Sequence, residues 1–252
     1  MLHYRVLGKG EPLVILHGLF GSSDNWQSQA KIFAEFYTVY LVDLRNHGHS
    51  FWSEEHSYAL MAKDLRDLTE ELNLKNIILL GHSMGAKVAM TFAQQHPTIL
   101  KKLILVDMGI KEYPMHHQHI LAGIKGLNLS EYASRGEAER VLEVHLENPG
   151  VRQFLLKNLY WKTKGELAWR MNVPILEKKM GEILSAIPKQ VVLTTTIFIR
   201  GELSNYILDE DIPDIENVFP DSEFETISGA GHWVHAEAQE KFIHAVLGFC
   251  LR

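Results

Sequence analysis

Cysteine is almost absent: Cys250 stands alone among 252 residues, so no intrachain disulfide can form. A chain of this length buries roughly 70–75% of its unfolded surface and folds without one. A lone thiol suits a reducing compartment. Long apolar runs are missing too. None reaches the ~18 residues that suggest a membrane span. The opening MLHYRVLGKG carries Arg5 and lacks an apolar core of signal-peptide length. These features lead us to expect a cytoplasmic protein with no membrane span. Charge of one sign is nowhere concentrated. The 25 Lys and Arg against 31 Asp and Glu leave a net −6, which gives no footprint for nucleic acid or anionic lipid. Repeats and low-complexity tracts are absent. Cys250 is expected to be a small apolar residue on the last helix.

What the chain does contain is short apolar segments at residues 13–16, 39–42, 77–80, 103–106 and 197–199, rich in Val, Ile and Leu. Continuous apolar strands suit a parallel sheet covered on both faces. Helical patterns lie between them, at residues 59–72 and 83–96, the second stopped by Pro97. Alternating strands and helices predict an α/β sheet. The middle of the chain differs. From residue 110 to 189 amphipathic helical pieces are broken by Pro114, Gly136, Pro149-Gly150, Pro174 and Pro188, and no convincing strand stands out. That is too long for one crossover. We expect a core of residues 1–110 and 190–252, with a helical cap at 111–189.

Three motifs carry chemistry. The segment at 77–80 runs into Gly81-His82-Ser83-Met84-Gly85 and then a helical pattern. This is G-x-S-x-G in a strand–turn–helix setting, the nucleophile elbow. Such a tight turn strains Ser83, so the residues two positions away must lack bulk. It also aims the hydroxyl over a helix N-terminus, where the dipole favours developing negative charge. Leu16-His17-Gly18-Leu19-Phe20-Gly21 follows the first apolar strand. Its small residues let a backbone amide face the nucleophile, and an oxyanion hole needs two such donors. We assign them to the N–H groups of Leu19 and Met84, with His17 bracing the loop. Gly229-Ala230-Gly231-His232-Trp233 lies between an extended stretch near residues 224–227 and a C-terminal helix at 237–249. A histidine there suits the chain order serine, acid, histidine, with His232 as general base.

These segments resemble the α/β-hydrolase superfamily, and within it the YbfF-type bacterial esterases. Asp43-Leu44-Arg45-Asn46-His47-Gly48-His49-Ser50 adds to the likeness, as do Phe154-Leu155-Leu156-Lys157 and Arg170-Met171-Asn172-Val173-Pro174 in the cap. The resemblance spans nearly the whole chain. It implies an α/β-hydrolase fold: a mostly parallel central sheet flanked by helices, with a helical cap inserted late in the sheet. It also implies a carboxylesterase or acyl-thioester hydrolase without metal or organic cofactor. One departure stands out. The triad acid of most of the superfamily follows the strand before the last, where this chain has Ile199-Arg200-Gly201-Glu202-Leu203-Ser204. Ser204 occupies the expected aspartate position. Asp107, directly after the segment at 103–106, is our candidate acid, ahead of Glu202 and Asp209.

The resulting reading is a Ser83, Asp107, His232 hydrolase acting on small acyl esters or thioesters, acyl-CoA included, as a monomer or small homo-oligomer. A lyase resembling MenH is the alternative. It would need cationic side chains on substrate carboxylates, with Arg45 and Arg170 as the candidates. A non-catalytic ligand receptor with a hydrolase-like pocket is the third reading. His47, His49, His116, His117 and His119 lack metal-ligand spacing. Asp43 and Arg45 are expected to fix the loop after their strand. Phe154, Tyr160, Trp161 and Trp169 are expected in the cap core.

Overall fold

The computed structural model describes residues 1–115, 117–129 and 134–252. Among the described residues nine strands form, in chain order: β1 (Tyr4–Leu7), β2 (Glu11–Leu16), β3 (Tyr37–Val42), β4 (Ile77–His82), β5 (Leu100–Val106), β6 (Leu159–Thr163), β7 (Glu166–Trp169), β8 (Thr196–Gly201) and β9 (Ser222–Ile227). Seven of them make one sheet in the order β1-β3-β2-β4-β5-β8-β9. Only β1 runs antiparallel, on the edge beside β3. The chain thus has an α/β-hydrolase fold. The expected apolar segments all fall inside strands, while β1 is an addition: its alternating Tyr-Arg-Val-Leu suits an edge rather than a buried strand.

Helices cover both faces. On one side lie α1 (Gln27–Phe33) and a C-terminal helix, Gln239–Cys250. They pack Ala30, Phe33, Phe242 and Val246 on Leu13, Ile15, Ile104 and Ile199. On the other side α2 (Tyr58–Glu71) and α3 (Met84–Gln95) cover Val14, Leu16, Leu79 and Leu105. Successive strand residues feed opposite layers, as the pleat requires. Cys250 is buried at the end of the last helix.

Between β5 and β8 the chain leaves the sheet. This excursion holds α4 (Gln118–Gly126), α5 (Arg135–Glu143), α6 (Pro149–Leu156), α7 (Val173–Lys178) and α8 (Met180–Leu184). It also holds a β6–β7 antiparallel hairpin, which corrects the expectation of helices alone. The hairpin closes through Lys164-Gly165, with Gly165 at φ 86°, a left-handed turn that glycine adopts without strain. At the neck the two passing chains bond to each other. Tyr113 N–H donates to Leu184 O at 2.9 Å and Ile187 N–H to Ile110 O at 3.0 Å. Buried Lys87 on α3 donates to Lys111 O at 2.8 Å and also to Ser185 O, so it ties both sides of the neck. Beyond β8, α9 (Ile212–Val218) packs on the α3 face, and α10 (Val234–Glu237) precedes the last helix, α11.

Candidate active site

The C-terminal ends of β4, β5 and β8 lie side by side, because His82 pairs with Val106 and Val106 with Ile199. The residue after each of the first two strands is fastened to the next strand. Ser83 N–H donates to Val106 O at 3.0 Å, and Asp107 N–H to Ile199 O at 2.8 Å. Both residues have left-handed backbones, φ 54° at Ser83 and 49° at Asp107, unusual for residues with a Cβ. At the elbow the turn is so tight that a Cβ on Gly81 would come within 2.3 Å of Gly85 O. A Cβ on Gly85 would meet Leu16 O at 2.5 Å. Glycine is therefore required at both positions.

His232 stands between the two. Its Nε2 is 3.0 Å from Ser83 Oγ and its Nδ1 is 2.7 Å from Asp107 Oδ2. Asp107 is fully buried, and its other oxygen accepts from Gly201 N–H at 3.0 Å. Ser204, at the strand end where an aspartate was expected, donates its hydroxyl to Asp107 Oδ2. The carboxylate that faces His232 is therefore one strand away from the expected position, and Ser204 is a hydrogen-bond donor to it. Glu202 and Asp209 are elsewhere. Glu202 accepts from Gly229 N–H at 2.8 Å, and Asp209 pairs with Arg200 at 2.6 Å.

The loop carrying Leu19 is held from several directions. His17 Nε2 accepts from Leu44 N–H at 3.0 Å, and its Nδ1 bonds Gly18 O at 2.8 Å. Phe20, with φ 58°, gives its N–H to His47 Nε2 at 3.3 Å and accepts at its carbonyl from Asn158 of the excursion at 2.6 Å. Gly18 lies against Ser83; a Cβ there would stand 3.1 Å from Ser83 Cβ. Among the described residues the amides of Leu19 and Met84 have no acceptor. Two unsatisfied N–H groups beside one hydroxyl can receive an oxyanion.

Two small spaces meet at Ser83. One, of about 30 Å³, is lined by Leu19, Ser83, His232, Val151, Phe154 and Trp233. The other, of about 10 Å³, is lined by Ser83, Met84, Met108, Tyr58, Ile183 and Leu184, with Leu19 shared. Outside, hollows of about 350 and 320 Å³ both border Val151 and Trp233. Neither Arg45 nor Arg170 lines the two inner spaces. Arg45 pairs with Asp64 through both Nε and NH2, at 2.6 and 2.8 Å. Arg170 bonds His49 at 3.2 Å and covers the Tyr160 ring. Asp43 accepts from Ser23 N–H at 2.7 Å and His49 N–H at 2.9 Å, which fixes the loop after β3. His47 spends both ring nitrogens on backbone, and His116 lies outside the described residues. Of the aromatics expected in the excursion, Phe154 and Trp169 pack against the main core, whereas Trp161 is exposed.

Several site residues were not legible in the sequence. Tyr206 stacks on the His232 ring with centroids 3.9 Å apart and planes 15° apart. Tyr113 OH accepts from Gly109 N–H at 2.8 Å and donates to Tyr206 O at 2.7 Å, joining the turn after Asp107 to that stack. His82 Nε2 bonds the His232 carbonyl at 2.9 Å. Burial first, then the neighbouring His235 and His232, hold His82 well below the ordinary histidine range, so it stays neutral. The middle position of the elbow was the only available sign for His82. Tyr206 and Tyr113 reach the site through contacts distant in sequence.

Comparison with known proteins agrees with this architecture. The α/β hydrolase fold family matches residues 11–148, more than half of the chain. A putative esterase/lipase of Haemophilus influenzae is 37% identical over 94% of this chain and 82% of its own length. Esterase YbfF of Escherichia coli is 34% identical over 93% of this chain and 91% of its own. A solved marine microorganism esterase superposes with a TM-score of 0.96 at 42% identity, covering 98% of both chains.

Proposed function

The chain belongs to the α/β-hydrolase fold family, in its YbfF-type branch, and on that premise we propose that it is a serine hydrolase of carboxylic esters or acyl thioesters. The observation that carries this reading is the continuous hydrogen-bonded line Ser83 Oγ, His232, Asp107 beside two unsatisfied amides. Ser83 Oγ attacks the acyl carbon while His232 Nε2 takes its proton. The carbonyl oxygen becomes an oxyanion held by the Leu19 and Met84 amides. The intermediate collapses, the bond to the leaving group breaks, and His232 returns the proton to the departing alcohol or thiol. Water then adds to the acyl-enzyme with His232 again as base, releasing the acid and free Ser83. Asp107 keeps the imidazole in the tautomer that presents Nε2 to the hydroxyl and stabilises the imidazolium. Residues 111–189 act as a cap over the elbow, and acyl-CoA falls within the thioester range. The lyase reading loses support because no Lys or Arg lines the inner spaces among the described residues.

A fluorophosphonate probe followed by peptide mass spectrometry tests this directly. Label is expected on Ser83. Ser83→Ala is expected to abolish it and to lower kcat on p-nitrophenyl acetate by as much as ~10⁶-fold. A tenth of wild-type activity in Ser83→Ala would exclude an acyl-enzyme on that residue.

A further inference from the structure

Of the two small spaces at Ser83, His232 lines only one. The general acid must reach the atom that leaves. A leaving group can therefore depart only through the His232 side, past Val151 and Trp233 into the outer hollows. The acyl group must point the other way, into the recess beside Leu19 and Met84, whose walls include buried Met108, Tyr58, Ile183 and Leu184, with His117 the one histidine on its border.

The recess is small. At about 10 Å³ it is a third of the size of the space on the His232 side, about 30 Å³, so it favours the smallest acyl groups. Its walls are also fixed. Tyr58 OH donates to Ile183 O, and Tyr113 OH is bonded to both Gly109 N–H and Tyr206 O. Enlarging the recess by moving either tyrosine would break buried hydrogen bonds, each expensive to leave unmade. The outer hollow of about 350 Å³ contrasts with it: Asn25, Asn148, Gln153 and Lys157 give it a polar border with room for a bulky group.

Resting on the hydrolase reading above, we infer that this recess is the acyl site, that it admits an acyl chain of about acetyl length, and that Ile183 sets that limit. The substrate class is then acetyl-sized esters or thioesters of large alcohols or thiols. The acyl carbon bonds to Ser83 Oγ with its methyl in the recess. The bond to the leaving atom breaks on the His232 side, and the proton follows that atom.

The test holds the leaving group constant and lengthens the acyl chain, with p-nitrophenyl acetate, butyrate and octanoate. For the wild type, kcat/KM is expected to fall at least about tenfold from acetate to butyrate and further to octanoate, the scale of one or two unaccommodated methylenes. Ile183→Ala is expected to raise the butyrate-to-acetate ratio at least about tenfold. Should that variant not fold, alkyl acetates from ethyl to octyl give a second measurement on the wild type. Lengthening the alcohol is expected not to lower kcat/KM. Esters cleaved with Ser83 labelled, but with butyrate or octanoate preferred to acetate, would overturn the acyl assignment alone. A folded Ile183→Ala with an unchanged ratio, or a steep loss with alcohol length, would do the same. No cleavage and no label on Ser83 would overturn the hydrolase reading and this inference with it.

Discussion

The sheet edge and the excursion between β5 and β8 meet at the same serine but are specified differently. At the edge, backbone geometry chooses the residues. Ser83 and Asp107 sit at positive φ one residue past their strands, and the glycines at 81 and 85 are the only side chains that fit. In the excursion, packing chooses. Ile183, Val151 and Phe154 reach the inner spaces from short helices whose own sequences require only an apolar face. Changes at the edge should thus act on kcat, through the chemistry. Changes in the excursion should act on which substrate is accepted.

The sharpest way to break that contrast is at Asp107, the proposed acid. Asp107→Asn keeps the size of the side chain and its acceptor for Gly201 N–H, but it favours the wrong tautomer of His232. We expect kcat on p-nitrophenyl acetate to fall by ~10⁴-fold with an unchanged melting profile. Glu202→Gln is expected to stay near wild type, because Glu202 bonds Gly229 and not His232. The reverse pattern, with Glu202→Gln inactive and Asp107→Asn active, would move the acid back to β8.

A smaller effect is expected from Ser204. Its hydroxyl donates to the carboxylate oxygen that also receives His232 Nδ1–H. Losing a hydrogen bond to a charged group is worth about 1.5 kcal/mol, or roughly tenfold in kcat. Ser204→Ala should therefore lower kcat about tenfold and leave KM unchanged. A change in KM alone would place Ser204 in binding rather than in support of the acid.

The same contrast decides what is legible in the sequence alone. Gly81-His82-Ser83-Met84-Gly85 and the aliphatic strands are local signals, since a tight turn or a doubly covered strand constrains neighbouring residues. Their places in the sheet followed. Ser204 at the usual aspartate position is a local signal as well, and it leaves Asp107 as a carboxylate at the neighbouring strand end. The β6–β7 hairpin is not legible there: its strands are short, proline-broken helices surround them, and Lys164-Gly165 lacks the Asn-Gly or Asp-Gly pair that marks a two-residue turn. Tyr206 could not be found that way. It lies 26 positions from His232, and the stack between them exists only once β8 and the His232 loop are assembled.

The neck joins the two regions, and Lys87 is where its stability can be tested. This lysine belongs to α3, directly behind the elbow, yet its ammonium bonds carbonyls at both ends of the excursion. Burial is the chief cause that lowers it from the usual lysine value to about 7, with Glu112 opposing. Tyr58 and Tyr113 face it. Burial pushes both phenols well above their ordinary range, so they stay neutral through the pH interval concerned. The unfolded chain holds a lysine proton up to ~10.4. Between about 7 and ~10.4 the unfolded state therefore binds more protons than the folded one, and this group makes stability rise with pH across that window. Below about 7 its contribution is flat and the burial penalty is complete. Lys87→Met removes the titration while retaining an unbranched apolar stem. Urea midpoints of both proteins at pH 6.5 and 9.5 isolate the difference. The wild type is expected to gain on Lys87→Met as pH rises, with Ser83 labelling intact in both. A difference that stays constant, or moves the other way, would mean that Lys87 holds its proton in the folded protein throughout. The neck would then be tied by a permanent cation.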